Sequence, residues 1–121
     1  MWELTKSFRF EAAHALPGTT LGDASMEIHG HSFRGEVAVR GPVDPHLGWV
    51  IDFADLRRAV EPLVDRLDHY LLNEIEGLEN PTAELLAVWI WHKLAPSLPL
   101  IHRGTIEETC TSRCHYFGVS S

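Results

Sequence analysis

Alternation of apolar and polar positions marks the N-terminal third of this chain, and a helical period of apolar residues marks its middle. From about Glu3 to Ala15, the residues Phe8, Phe10, Ala12 and His14 fall in one phase, which predicts a β-strand. A loop follows over Pro17 to Ala24, where two glycines and two threonines cluster. A second strand is predicted from near Glu27 to Arg40, closed by Gly41-Pro42. Its residues His29, His31, Phe33, Val37 and Val39 share one face, while Ser32, Arg34, Glu36 and Arg40 share the other.

The period then changes. Asp52 reads as a helix N-cap, with Asp55 placed to favour the positive end of the helix dipole. Phe53, Leu56, Val60, Leu63 and Leu67 recur at helical spacing to about His69, and Pro62 is expected to kink or shorten that helix. A second helix is expected to open at Asn80-Pro81, bury Leu85, Leu86, Trp89, Ile90 and Leu94, and end before Pro96. Two more strands are predicted at about Gly104–Cys110 and Arg113–Phe117, with Ile106, Glu108 and Cys110 on one face of the first. The order ββααββ predicts an α+β fold: a four-stranded antiparallel sheet with two helices on one face, in a single domain spanning residues 1–121. Long strands on open edges invite pairing with another chain, so the expected state is a homo-oligomer whose sheets join edge to edge and close into a barrel.

Composition narrows the function classes. The chain is 45% hydrophobic and 22% charged, as an ordinary globular protein is. A net charge of -7 argues against a nucleic-acid partner, whose phosphates call for a basic surface. No apolar run reaches the length of a membrane span, and alternation begins within a few residues of Met1, leaving no room for a signal peptide; the expected location is the cytoplasm. Cys110 and Cys114 would then stay reduced, and both read as small core or strand residues.

Histidine carries the chemistry. Side chains two apart on a strand point the same way, so His29 and His31 can meet one ion, and His14 lies in the apolar phase of the first strand. Three imidazoles with an open fourth position describe a catalytic zinc site. A structural zinc site would need a fourth protein ligand, which His46, His102 or Glu27 could supply, and a lone histidine on an apolar face is commonly a core residue. Asp68-His69 is either a proton relay or a charged helix end, since neighbours on a helix do not face each other. Glu108 shares a face with apolar neighbours and needs a partner there. A ligand with a guanidine-like N–H pair would serve, and so would Arg103, Arg113 or water. Trp49, Trp89 and Trp91 form a possible stacking platform, with Trp89 better placed in the core.

In order along the chain stand Phe10-Glu11-Ala12-Ala13-His14, Ile28-His29-Gly30-His31-Ser32-Phe33, Gly48-Trp49-Val50-Ile51-Asp52-Phe53, Leu67-Asp68-His69, Glu79-Asn80-Pro81-Thr82-Ala83-Glu84 and Glu108-Thr109-Cys110-Thr111. This series closely resembles the 6-pyruvoyl-tetrahydropterin synthase family, and within it the bacterial 6-carboxy-tetrahydropterin synthases of queuosine biosynthesis. The resemblance implies the tunnelling fold (T-fold), with trimers closing a twelve-stranded barrel, two trimers stacking as a hexamer, and active sites between subunits. It implies Zn2+ on His14, His29 and His31, a pterin substrate anchored by Glu108, and a proton-relay triad that includes Asp68 and His69.

The triad's third member departs from the pattern. The carboxy-synthases place a cysteine four residues before the first histidine of the pair, and that position is Ser25. A serine hydroxyl is several pK units less acidic than a thiol. Three readings stay open: a substitution that slows or disables the chemistry, Glu27 acting as the base in phase with His29 and His31, or a paralogue with a changed reaction. The products implied are 6-carboxy-tetrahydropterin, acetaldehyde and triphosphate. The alternatives are a 6-pyruvoyl-type triphosphate elimination and a zinc- and pterin-binding protein without catalysis. A cupin is the rival from another fold, but Glu36 falls on the wrong face of the strand and cupins have no helix pair between strand pairs.

Overall fold

The computed structural model describes residues 1–17, 27–109 and 111–118. Ser25 and Cys110 therefore lie outside the described residues. Strands β1 (Trp2–His14) and β2 (His29–Gly41) are followed by helix α1 (Phe53–Leu67), a two-residue strand β3 (Tyr70–Leu71) and a 3-10 turn (Leu72–Glu74). Helix α2 (Ala83–Leu94), β4 (Ile101–Thr109) and β5 (Ser112–Tyr116) complete the order. The sheet runs β3-β1-β2-β4-β5, so the α+β class holds with one strand more than the pattern predicts. That extra strand, β3, pairs parallel to β1 only at Ala12 and Ala13. Two residues carry no periodic signal, which is why the sequence hides it.

The sheet has two unlike faces. On one, Phe8, Phe10, Ala12 and His14 of β1 join Phe33, Val37 and Val39 of β2 and Ile106 of β4, all buried. Helix α1 covers this face with Leu56, Val60, Leu63 and Leu67, and α2 with Leu86, Trp89, Ile90 and Leu94. A fully buried aliphatic or aromatic side chain stabilises by about 1.5–3 kcal/mol, so this cluster dominates folding. The other face is a lattice of opposite charges. Arg103 bonds Glu36 at 3.1 Å and Glu3 at 3.2 Å, Arg40 bonds Glu3 at 2.9 Å, and Arg113 bonds Glu107 at 3.1 Å.

Local expectations fared unevenly. Asp52 caps α1 as read, accepting from the Ala54 N–H at 2.9 Å. Phe53, however, is 61% exposed, because as the first helical residue it points away from the sheet. Pro62 neither ends nor shortens α1, which runs its full 15 residues. Pro62 lies on the exposed side, where the carbonyl it leaves unpaired can face water. The cap of α2 is Thr82 rather than Asn80, its hydroxyl accepting from the Leu85 N–H at 3.1 Å, and Leu85 is half-exposed instead of buried.

Gly35 sits opposite Phe8 in the β1–β2 ladder, and a Cβ at Gly35 would run into the Phe8 ring. Overpacking of this kind costs about 1–3 kcal/mol. Gly35→Ala is expected to lower the urea midpoint accordingly, and a midpoint equal to that of the parent would show that the ring has room to move.

Candidate metal centre

Strand register builds the site. The β1–β2 ladder pairs His14 directly with His29, and Ala12 with His31. Because alternate residues share a face, His31 then stands on the same face as the His14–His29 pair. The ring centroids are 4.6 Å apart for His14–His29, 4.7 Å for His29–His31 and 5.1 Å for His14–His31. One ligand atom from each lies within 4.8 Å of the others, and among the described residues this is the group that can hold a metal ion. Phe33 packs against both His14 and His31 and forms an apolar floor.

Hydrogen bonds set which nitrogen is free. His14 Nδ1 donates to the Pro81 carbonyl at 3.0 Å, leaving Nε2 as the lone pair. His29 Nδ1 lies 2.8 Å from the Glu27 carbonyl and is fixed the same way. His14 is fully buried, and its Nε2 has no hydrogen-bond partner among the described residues. Burial pushes the His14 pKa below the ordinary histidine range, outweighing the Pro81 carbonyl, so the ring is held neutral. A buried, unpartnered, neutral imidazole nitrogen facing two others is the donor set that a divalent metal takes. The residues fit a metal.

Glu108 lies beside the histidines. Its Oε1 lies 3.4 Å from His14 Nε2 and 4.0 Å from His31 Nε2. The carboxylate is one-third exposed, and the arginines considered for it are engaged elsewhere: Arg103 with Glu3 and Glu36, Arg113 with Glu107. Glu27 is exposed, and its described role is the backbone carbonyl that holds His29. Neither Glu27, His46 nor His102 joins the histidine group as a fourth ligand among the described residues. Trp89 is core, as read. Trp49 is 41% exposed and Trp91 packs edge-on against Tyr116, so the three tryptophans form no platform.

Asp68 and His69 do touch. Asp68 ends α1 in an extended conformation, and His69 takes a left-handed φ of 64°. Leaving the helix removes the geometry that keeps neighbours apart, and His69 Nδ1 reaches Asp68 Oδ2 at 2.9 Å. The other carboxylate oxygen accepts from the Glu11 N–H at 2.8 Å, fastening the pair to β1. The Glu11 amide and then His69 hold the Asp68 pKa below the usual aspartate value. His69 and His31 line the same open groove of about 510 Å³, together with Glu11, Ser32 and Tyr70. The Pro81 carbonyl was invisible to sequence reasoning, since a main-chain acceptor has no residue signature.

Three histidines able to hold a metal at the end of a mostly antiparallel sheet, backed by two helices, define the class. A family model described as 6-pyruvoyl tetrahydropterin synthase matches residues 3–119, and the chain belongs to that family. It is 44% identical to the 6-carboxy-5,6,7,8-tetrahydropterin synthase of Synechocystis, over 97% of this chain and 94% of that one. It is 40% identical to the dihydroneopterin monophosphate aldolase of Pyrococcus furiosus, over 74% of this chain and 72% of that one. In structure it matches the Caenorhabditis elegans 6-pyruvoyl tetrahydropterin synthase with a TM-score of 0.86 at 29% identity, covering 98% of this chain and 96% of that one. No helix among the described residues is long and apolar enough to cross a membrane.

Two outcomes are expected from this geometry. His31→Ala should reduce bound divalent metal, measured by elemental analysis after dialysis, to near zero while the circular dichroism spectrum stays that of the parent. Parental metal content would remove His31 from the centre. Asp68 has a lowered folded pKa, so its contribution to stability is present above the unfolded aspartate value and is lost as pH falls through the folded one. The difference in urea midpoint between the parent and Asp68→Ala should therefore be largest near neutrality and shrink from roughly pH 5 downward. A difference that grows in acid would contradict the assignment.

Proposed function

We propose that this chain is a zinc-dependent enzyme that converts 7,8-dihydroneopterin triphosphate to 6-carboxy-5,6,7,8-tetrahydropterin, releasing acetaldehyde and triphosphate, in queuosine biosynthesis. The observation that carries this reading is the buried, unpartnered Nε2 of His14 beside His29, His31 and the carboxylate of Glu108. The 44% identity to a protein named for this product, along nearly the whole chain, supports the choice within the family. The aldolase relative acts on a related pterin, which keeps carbon–carbon cleavage within the family's reach.

Zinc on His14, His29 and His31 would acidify substrate hydroxyls and polarise a developing carbonyl. Glu108 accepts the N–H pair of the pterin's amino-pyrimidinone edge in a charge-assisted contact, which gives its carboxylate the partner that the arginines do not supply. Asp68 holds the His69 Nδ1 proton, so Nε2 of this exposed ring is free to take or return a proton. Ser25 occupies the position where the family resemblance implies a cysteine, and Glu27 is the alternative base. A two-residue β3 leaves the outer edge of β1 open along most of its length, and β5 forms the other edge of the sheet. Edge-to-edge pairing of several copies, as a trimer or hexamer, would cover both edges and set the active sites between subunits.

One distance favours a second reading: at 3.4 Å from His14 Nε2, Glu108 is close enough to serve as a fourth metal ligand in a closed, structural centre. Glu108→Gln separates the two. On the first reading the variant keeps its metal and loses about 10- to 100-fold in pterin affinity by calorimetry, the worth of a charged hydrogen bond. Loss of metal with the affinity drop would favour the second.

The test of the reaction is incubation of the zinc-loaded protein, beside Ser25→Cys, with dihydroneopterin triphosphate, products being identified by mass spectrometry. Formation of carboxy-tetrahydropterin by the parent chain is the expected result and makes Glu27 the next residue to replace. Turnover by the cysteine variant alone would mean a pterin- and zinc-binding protein without its proton carrier.

A further inference from the structure

The acceptor that orients His14 is a main-chain carbonyl, so its position depends on whatever holds the segment around Pro81 against the end of β1. One side chain joins the two. Asn73, in the 3-10 turn after β3, accepts from the Ala15 N–H through Oδ1 at 2.9 Å and donates through Nδ2 to the Ala15 carbonyl at 2.8 Å. It thus meets both main-chain groups of the residue that follows His14, as a neighbouring strand would. The same Nδ2 donates to the Glu79 carbonyl at 3.3 Å, two residues before Pro81. The contacts close a ring that runs from His14 and Ala15 through Asn73 to Glu79 and Pro81, and back through the Pro81 carbonyl to His14 Nδ1.

We propose that Asn73 is a positioning residue that fixes the orientation and tautomer of His14, so that the buried Nε2 keeps its lone pair aimed at the metal. The inference rests on the reading of His14 as a ligand. Ala15 lies one residue past the end of β1, beyond the β1–β2 ladder, where strands fray. Without the clamp, the His14 ring and the Pro81 carbonyl are held by separate segments. A shift between them frees the Nδ1 proton to move to Nε2, which blocks coordination. The site calls for asparagine in particular, because it needs a donor and an acceptor on one rigid amide. An aspartate would set a carboxylate against two carbonyl oxygens.

Two measurements on the unmodified, metal-free protein test the clamp directly. The Ala15 amide should exchange slowly with deuterium although it lies outside the ladder, and nitrogen NMR should show His14 as the Nδ1–H tautomer. Rapid exchange at Ala15, or an Nε2–H tautomer, would overturn the proposal without any variant needing to fold. Asn73→Asp should then lower zinc affinity, measured by competition with a chelating dye, by about 10- to 100-fold. It should also mix the His14 tautomers and alter the visible spectrum of the cobalt-substituted protein. Ile75→Val, a buried change next to the same turn, serves as the control for general destabilisation and should move none of these readouts. Parental affinity and tautomer in Asn73→Asp, or an equal loss in Ile75→Val, sinks the proposal. His14→Ala distinguishes the two levels. Retained metal in that variant means the ligand reading itself is wrong, whereas lost metal there with parental affinity in Asn73→Asp means that only the clamp is wrong.

Discussion

The register between β1 and β2 is the constraint on which everything else depends. Thirteen residues of each strand pair without a break, from Trp2 with Gly41 to His14 with His29. A slip of one residue would turn one strand's apolar set toward the charged face and separate the histidines. The register is held by more than backbone bonds: Phe10 stacks on Phe33 with ring centroids 5.1 Å apart, and Phe8 fills the space over Gly35. The same pairing that builds the core therefore also assembles the metal centre at its end.

This sharing explains how three imidazoles are tolerated at the edge of an apolar cluster. His14 is buried at the end of a row of aromatic and aliphatic side chains, and burial is the main cause of its lowered pKa, with His29 and His31 adding to it. Its cost is offset at one nitrogen by the Pro81 carbonyl. The other nitrogen has no hydrogen-bond partner among the described residues and faces the group where a divalent metal would compensate it. The reverse face of the sheet solves a different problem. Its carboxylates and guanidinium groups neutralise one another: Arg103 pairs with Glu3 and Glu36, and Arg113 with Glu107.

The supports of the centre come from remote parts of the chain. Pro81 lies 67 residues from His14, and Asp68 lies 57 residues from Glu11. Both contacts are made where an element stops: α1 breaks at Asp68 and His69, and α2 begins just after Pro81. Asp68 holds Glu11 through its side-chain carboxylate, and the main-chain carbonyl of Pro81, just before the α2 cap, holds His14. The helices thus do more than cover the sheet, since their termini set the orientation of the reactive side chains.

Much of this was legible in the sequence because periodicity reports which side a residue faces. Alternation identified the metal phase of β1 and β2, helical spacing gave the buried stripes of α1 and α2, and the motif series pointed to the family. What periodicity cannot report is contact. It could not place His14 opposite His29, since register is a relation between strands, nor show that Asp68 and His69 meet, since that needed the helix to end before them. It missed β3, whose two residues have no period, and misassigned Phe53, Leu85 and the α2 cap, where exposure depends on what lies across the interface. The sequence alone determined the ligand types and the faces they occupy, through local steric rules that act along the chain. Only the tertiary structure decided which of those groups converge, which nitrogen of His14 is free, and that Glu108 lies beside the histidines while Arg103 and Arg113 pair with other carboxylates, because each depends on distances between segments far apart in the chain.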